Sequence, residues 1–285
     1  MANIRLVKRR IKTAKNIAQI TKAMELVAAS KMKKAQTAAL SGKLYALKIY
    51  EMVMLLASKT NYCDHPLLKK PEQIRGKRLA VVISTNKGLC GGLNTNLFKF
   101  LSGNYQPDSG VEFITLGRKG ADHAVRTGTS IAADFSDTAQ FAALVPAITE
   151  LIVQKYLDGF YDAIDLVYNE FLSVVSQKPR KKTILPLTLE AVPAGNGHIS
   201  EFLIEPDVST VFNRLLPHYL ENQIRDAILQ AQASEHSARM VAMRNATDNA
   251  LSLAEELTLI YNKARQEKIT YEINDIVTAR LASES

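Results

Sequence analysis

The residues with most chemical potential stand in STNKGLCGGLNTNL, residues 84–97, where Gly88, Gly91 and Gly92 follow the apolar run LAVVI. A strand, a glycine-rich turn and a helix form the setting in which backbone N–H groups and a helix N-terminus hold phosphate. The Walker pattern G-x-x-x-x-G-K-[ST] also needs a lysine and a hydroxyl after its last glycine, and GLCGGLN supplies neither. Glycines at 88, 91 and 92 miss the G-x-G-x-x-G spacing as well. The residues favour a structural turn, with positive φ and close backbone packing, leading into a helix capped by Asn94 or Thr95.

No other constellation supplies catalysis. His65, His123, His198, His218 and His236 share no metal-ligand spacing with a cysteine or carboxylate. Glu255, Glu256, Arg265 and Glu267 read as solvated charges on a helix flank, so no acid–base pair is nominated. Cys63 and Cys90 lack CxxC spacing and are expected to be unpaired, reduced thiols. Neither a cofactor nor a metal is expected.

Charge is concentrated at one end. Twelve lysines and arginines stand against Glu25 alone in residues 1–48, giving +11, while the remainder of the +8 chain sums to −3. Such a segment suits nucleic acid, an anionic membrane surface or an acidic protein cavity, or is simply a solvated helix face. The basic residues have no aromatic among them before Tyr45, which weakens a single-strand nucleic-acid reading, because that mode needs stacking platforms. No apolar run approaches the roughly 20 residues of a membrane span, and the charged start MANIRLVKRRIKTAKN is unlike a signal peptide. A cytosolic chain is expected.

These residues must be positioned by long helices. From Ile4 to about Ser58 there is no proline and one glycine, Gly42. Apolar residues recur at Ile4, Val7, Ile11, Ala14, Ile17, Ile20, Met24, Val27 and Ala35, the spacing of a single stripe. From Asp207 to about Ala282 there is no glycine and only Pro217. The apolar or small positions there, from Leu216 to Ile276, drift between steps of three and four as a coiled-coil seam does. Ala231, Ala233, Ala238, Ala242, Ala246 and Ala250 permit close helix approach. Two such helices at the ends of one chain pair most simply as an antiparallel coiled coil.

Between them, apolar runs at 78–85, 111–117, 130–135, 162–171 and 183–189 alternate with helical stretches near 94–103, 118–127 and 138–158. That order predicts a mostly parallel α/β sheet, with QKPRKK and PAGNGH as connectors. The expected fold is α/β: a long antiparallel coiled coil of shaft helices (1–58 and 207–285) on a Rossmann-like foot (70–200).

RRIKTAKNIAQITKAMELVAASKMKKAQ, GLCGGLNTN, LGRKG, EPD, ASEHSARMVAMRNATDNA and YNKARQEKIT follow one another in an order that resembles the gamma subunit of F-type ATP synthase. The resemblance implies a non-catalytic rotor shaft inside a hexamer of three alpha and three beta subunits, one copy per hexamer. Its foot would rest on the ring of c subunits beside epsilon, coupling proton-driven rotation to ATP synthesis. It implies no nucleic-acid partner, and membrane contact only through the c-ring. The absence of the chloroplast form's insert, with no transit peptide, suggests a bacterial protein on the cytoplasmic face of the inner membrane.

Site roles follow from the same resemblance. Lys8, Arg9, Arg10 and Lys12 resemble the shaft's basic face, suited to acidic lever and collar surfaces. Met24 resembles the methionine that slides past the beta subunit's acidic lever. Arg239, Arg265 and Gln266 match polar positions touching alpha and beta. Phe202, Ile204 and Glu205 match the contact with the c-ring and epsilon, although the family often carries tyrosine at the first two. Ala279 and Arg280 stand where the family commonly has Gly-Ala, which suggests an extra helical turn at the shaft tip.

Overall fold

The computed structural model of the chain describes residues 4–58, 65–69, 76–106, 110–137, 141–188 and 204–284. In chain order the elements are α1 (Ile4–Ser58), β1 (Arg78–Ile83), α2 (Leu93–Asn104), β2 (Val111–Leu116), α3 (Arg118–Thr127) and β3 (Ile131–Asp134). A 3-10 turn (Phe141–Leu144), α4 (Val145–Leu157), β4 (Ala163–Phe171), β5 (Gln177–Leu185) and α5 (Val208–Glu284) complete them. Contacts divide the chain into two compact units: α1 through Ala28 with α5 from Arg239, and Ala29–Ala238.

In the first unit α1 and α5 pair as antiparallel helices, and the hydroxyls of Thr21 and Thr247 meet at 2.7 Å. The sheltered positions of α1 are Val7, Ile11, Ala14, Ala18, Thr21, Glu25 and Ala28; those of α5 are Met243, Thr247, Ala250, Ala254, Leu257, Tyr261 and Ala264. Both sets step by four and three in strict alternation, the 3.5-residue period of a left-handed coiled coil. This seam corrects the stripe expected from apolar recurrence. Ile17, Ile20 and Val27 are exposed, Ile20 by 60%, and so is Leu251. The reason is steric in the middle of the pair: Ala14, Ala18, Thr21 and Ala28 of α1 face Thr247, Ala250 and Ala254 of α5 at close approach, and the larger Ile17, Ile20 and Val27 face outward.

The second unit is built on a five-stranded sheet of order β3-β2-β1-β4-β5. β1 pairs parallel with β2 and β4, β2 pairs parallel with β3, and β5 closes the far edge antiparallel to β4. Alternation along β1 sends Leu79, Val81 and Ile83 to one face and Ala80 and Val82 to the other. The first face carries the larger core, closed by Ile49, Val53 and Leu56 of α1, Val145, Ile148 and Ile152 of α4, and Phe212, Leu216, Leu220, Ile224 and Ile228 of α5. Leu97 and Leu101 of α2 and Ala124 of α3 cover the second face. Helices on both faces explain why β1 reads as a continuous apolar run after Arg78.

β5 departs from expectation. QKPRKK is not a connector but the first two-thirds of an edge strand that runs on through Thr183 to Leu185. Its lysines, arginine and Pro179 disguise it, yet charge and proline are what an edge strand tolerates and uses against unwanted pairing. The helix expected over 138–158 starts later, with a proline in the first turn of α4. PAGNGH lies outside the described residues. Asp207 caps α5, accepting from the Thr210 amide at 2.8 Å and its hydroxyl at 2.7 Å.

One carboxylate ties the sheet together. Asp165 on β4 is 0% exposed, yet Arg78 of β1 (3.4 Å) and Lys181 of β5 (3.2 Å) reach it from both neighbouring strands. Tyr105 Oη and Thr183 Oγ1 donate to it at 2.9 and 2.6 Å. Burial, then the Asp165 charge, hold the Tyr105 phenol well above the usual range. Replacing Asp165 by Ala strands two cations and two hydroxyl donors in a half-buried site; urea denaturation of Asp165→Ala should show a loss of about 3 kcal/mol or more.

The tightest glycines are in LGRKG. Gly117 has φ +101°, and an added Cβ would lie 2.7 Å from the Ser84 carbonyl carbon; at Gly91, φ +59°, a Cβ meets nothing within 4 Å. Gly117→Ala is therefore expected to cost more than about 2 kcal/mol and Gly91→Ala about 1 kcal/mol, read from urea midpoints.

Candidate interaction surfaces and the glycine loop

Parallel strands that leave β1 in opposite directions create a switch point, the place where doubly wound sheets hold ligands beyond the strands' carboxyl ends. Here it falls between β1 and β4, beside the glycine loop. The α3 N-terminus supplies amide donors of the kind that bind phosphate, and the loop's own oxygens already take them. Gly120 N donates to Ser84 Oγ at 2.7 Å, Lys119 N to Thr85 O at 3.1 Å and Arg118 N to Asn86 Oδ1 at 2.9 Å. STN, the three residues after β1, thus occupies the position of an anion.

At α2 the N-cap is Gly92, with no side-chain cap bond, so neither Asn94 nor Thr95 caps the helix. Asn94 instead reaches back, donating to Thr85 Oγ1 at 2.8 Å and Cys90 Sγ at 3.4 Å. The positive φ expected of the turn is found at Gly91, and also at Leu89, φ +62°. Gly88, Gly91 and Gly92 face open space or ordinary contacts, so close backbone packing is not their reason. That role belongs to Gly117 and Gly120, both crowded against Ser84.

The crevice itself is filled by α5. Ala231, Gln232 and Glu235, with Phe141 and Leu93, close over Ile83, Ser84, Thr85 and Asn169, leaving a cavity of about 10 Å³. Sites for small organic ligands measure hundreds of Å³, and this one has room for about one water. Three polar side chains of α5 bond the end of β4 and the turn after it. The amide of Phe171 donates to Gln230 Oε1 at 3.3 Å, Ser234 Oγ donates to Asn169 O at 2.9 Å, and Ser237 Oγ donates to Val174 O at 2.7 Å. These residues carried no functional expectation. Their signal in the sequence is polar residues at 230, 234 and 237, a helical i, i+4, i+7 set inside an otherwise small and apolar face.

A groove of about 300 Å³ lies between α1 at Ala39, Leu40, Gly42 and Ala46 and α5 at Asn222, Arg225, Asp226, Leu229 and Gln230. Beside it, burial pushes the Lys182 amine down while the Asp226 charge opposes that shift. No cluster of histidine, cysteine, aspartate or glutamate able to hold a metal occurs among the described residues.

The expected contact residues fall into two groups. In the first unit Lys8, Arg9, Arg10 and Lys12 are all exposed on α1 and make no ion pair among the described residues, while Met24 is half-buried beside the seam. Arg239 is half-buried, and Arg265 and Gln266 are exposed on α5. With Thr21 against Thr247, α1 begins opposite the neighbourhood of Ala264. Every residue of α5 from Arg265 to Arg280 is exposed, including Ile269, Tyr271, Ile273, Ile276 and Val277. Ala279 and Arg280 continue the helix without a break. In the second unit Glu205 is exposed, Ile204 packs against the larger core, and Phe202 lies outside the described residues.

The occupied amides and filled crevice lead to a simple expectation. Isothermal titration of the isolated chain with ATP should give no heat of micromolar binding, and a Gly91→Ala chain should give the same trace.

Comparison with known proteins places this arrangement. The family model described as ATP synthase matches residues 3–282. The ATP synthase gamma chain of Opitutus terrae is 42% identical over the full length of both chains. That of Dehalococcoides mccartyi is 42% identical over 97% of this chain and 98% of its own. Among solved structures, a chain of the Euglena gracilis mitochondrial ATP synthase OSCP/F1/c-ring assembly aligns with TM-score 0.66 at 22% identity, covering 98% of this chain and 94% of that one. A chain of the Tetrahymena thermophila central stalk and c-ring aligns with TM-score 0.59 at 24% identity, covering 80% and 99%. The two structures speak for the fold, and the sequence matches for the family. The chain belongs to the ATP synthase gamma chain family.

Proposed function

We propose that this chain is the central rotor shaft of an F-type ATP synthase, a non-catalytic subunit that couples rotation of a c-ring to conformational cycling of catalytic beta subunits. The observation that carries this reading is the outward side of the helix pair. Its seam is packed with small residues, yet Leu6, Ile17, Ile20, Leu26, Leu253 and Leu259 face solvent, and α5 runs past α1 with a wholly exposed apolar and polar surface. A helix pair that has satisfied its own seam and still exposes this much apolar surface is built to turn or sit inside other chains.

In this reading residues 1–58 and 207–285 form the shaft and 70–200 the foot. One asymmetric shaft faces three identical beta subunits and contacts each differently, so it biases each between open and closed states through differential contact energy. Lys8, Arg9, Arg10 and Lys12 meet acidic surfaces of alpha and beta, where exposed cations give attraction without a rigid paired geometry. Met24 slides against the beta lever because an apolar side chain forms no ion pair. Arg239, Arg265 and Gln266 contact alpha and beta, and Phe202, Ile204 and Glu205 the c-ring and epsilon. Membrane attachment is peripheral, through the c-ring, on the cytoplasmic face of a bacterial inner membrane. No helix among the described residues is long and apolar enough to cross a membrane.

Stoichiometry tests the reading directly. Affinity purification of the tagged chain should recover alpha, beta and this chain at 3:3:1, and a homodimer free of alpha and beta would refute it. Within the assembly, Met24→Lys introduces an ion pair with the lever worth up to about 1 kcal/mol. It should lower protons pumped per ATP hydrolysed more than it lowers hydrolysis.

A further inference from the structure

Hydroxyls in the interior of long helices usually return to their own backbone. In this chain Thr13, Thr37, Thr258 and Thr270 do so, each bonding the carbonyl four residues before it. Ser234 and Ser237 behave differently. Both are 0% exposed, and both donate to carbonyls more than sixty residues away in sequence, at Asn169 and Val174. Gln230, one turn earlier, accepts from the Phe171 amide and also bonds Asp226. At 100° per residue, positions 230, 234 and 237 fall within about 60° of arc, on one face of the helix.

That face lies where small residues, Ala227, Ala231 and Ala233, line α5 against the sheet. Ala227, Ile228 and Ala231 seat α5 on the sheet through close packing and exclusion of water, a non-directional attraction that names no single partner atom. A hydrogen bond also needs its direction, so a register shift of one residue, about 1.5 Å of rise with about 100° of turn, carries all three side chains off this face and breaks the bonds. The turn that carries one acceptor is itself held: Gln177 Nε2 donates to Ser173 O at 3.1 Å and Val174 O at 2.9 Å, tying the turn after β4 to the start of β5.

We propose that Gln230, Ser234 and Ser237 form a polar lock that fixes the register of α5 on the end of β4, so that torque applied to the sheet domain enters the shaft helix there. The proposal rests on the rotor reading. The three are positioning residues, acting through the end of β4 and the turn after it. Their contribution is directional, and the surrounding core supplies the affinity.

The test uses the complete synthase reconstituted in vesicles, comparing ATP hydrolysis with ATP-driven proton pumping. The triple variant Gln230→Leu, Ser234→Ala, Ser237→Ala removes all three bonds, and each bond removed weakens the lock about fivefold. It should co-assemble and hydrolyse ATP within about twofold of the parent, while protons pumped per ATP fall by more than about half. Thr37→Ala, which removes a hydroxyl bonded only within its own helix, should pump at the parental ratio. A purely structural role would instead lower assembly and both activities together. If the triple variant does not assemble, the single variants decide: a lowered pumping ratio in Ser234→Ala and Ser237→Ala supports the lock, and parental ratios in both overturn it. A parental chain that never assembles with alpha and beta removes the rotor reading and the lock together. A parental chain that couples, beside variants that couple equally well, removes the lock alone.

Discussion

The structure depends on one helix serving two unlike partners. α5 contains no glycine from Val208 to Glu284 and runs unbroken through Pro217, so its side chains alone must suit first a sheet and then another helix. Where it lies on the sheet it presents Phe212, Leu216, Leu220, Ile224 and Ile228, all close to fully buried. In the first unit it presents Met243, Thr247, Ala250 and Ala254 in heptad register. Between these stretches stand Ala231, Ala233, Ser234 and Ser237, whose small size brings the helix close enough for the two serine hydroxyls to reach the carbonyls of Asn169 and Val174. A single bulky residue there would separate helix from strand.

This seating also settles the chemistry of the glycine loop. A doubly wound sheet offers a switch-point crevice and helix N-termini, and other chains with that architecture use both for nucleotide phosphates. In this chain α5 occupies the crevice, and Ser84, Thr85 and Asn86 occupy the amides of α3. Asn169 Oδ1, buried with no partner among the described residues, faces the small space that remains. The architecture of a binding fold is retained while its binding volume is given over to the chain's own helix.

The outer surface follows from the same economy of side chains. Small residues in the seam displace Ile17, Ile20 and Val27 to the outside, so the helix pair is apolar on both its inner and outer aspects. Lys8, Arg9, Arg10 and Lys12 flank this surface and keep the isolated chain hydrated. The surface thus mixes cations that make no ion pair among the described residues with exposed isoleucine and leucine.

Periodicity over more than fifty residues determined the two long helices, because no short-range signal competes with so sustained a pattern. Alternation of apolar strands with helices determined the sheet, and the absence of Walker chemistry already separated this loop from a phosphate cradle. The family, too, was legible from ordered blocks that span the chain. Which apolar residues face inward was not, since Ile17 is the more apolar of the pair Ile17 and Ala18, and only the distance to a partner helix chooses the smaller. β5 was hidden because its residues answer to an edge position that exists only once β4 lies beside it. The functions of Gly117, Asp165, Ser234 and Ser237 were equally silent. Each depends on an atom far away in sequence, a carbonyl or a cation from another element, and only the tertiary structure brings that atom within about 3 Å.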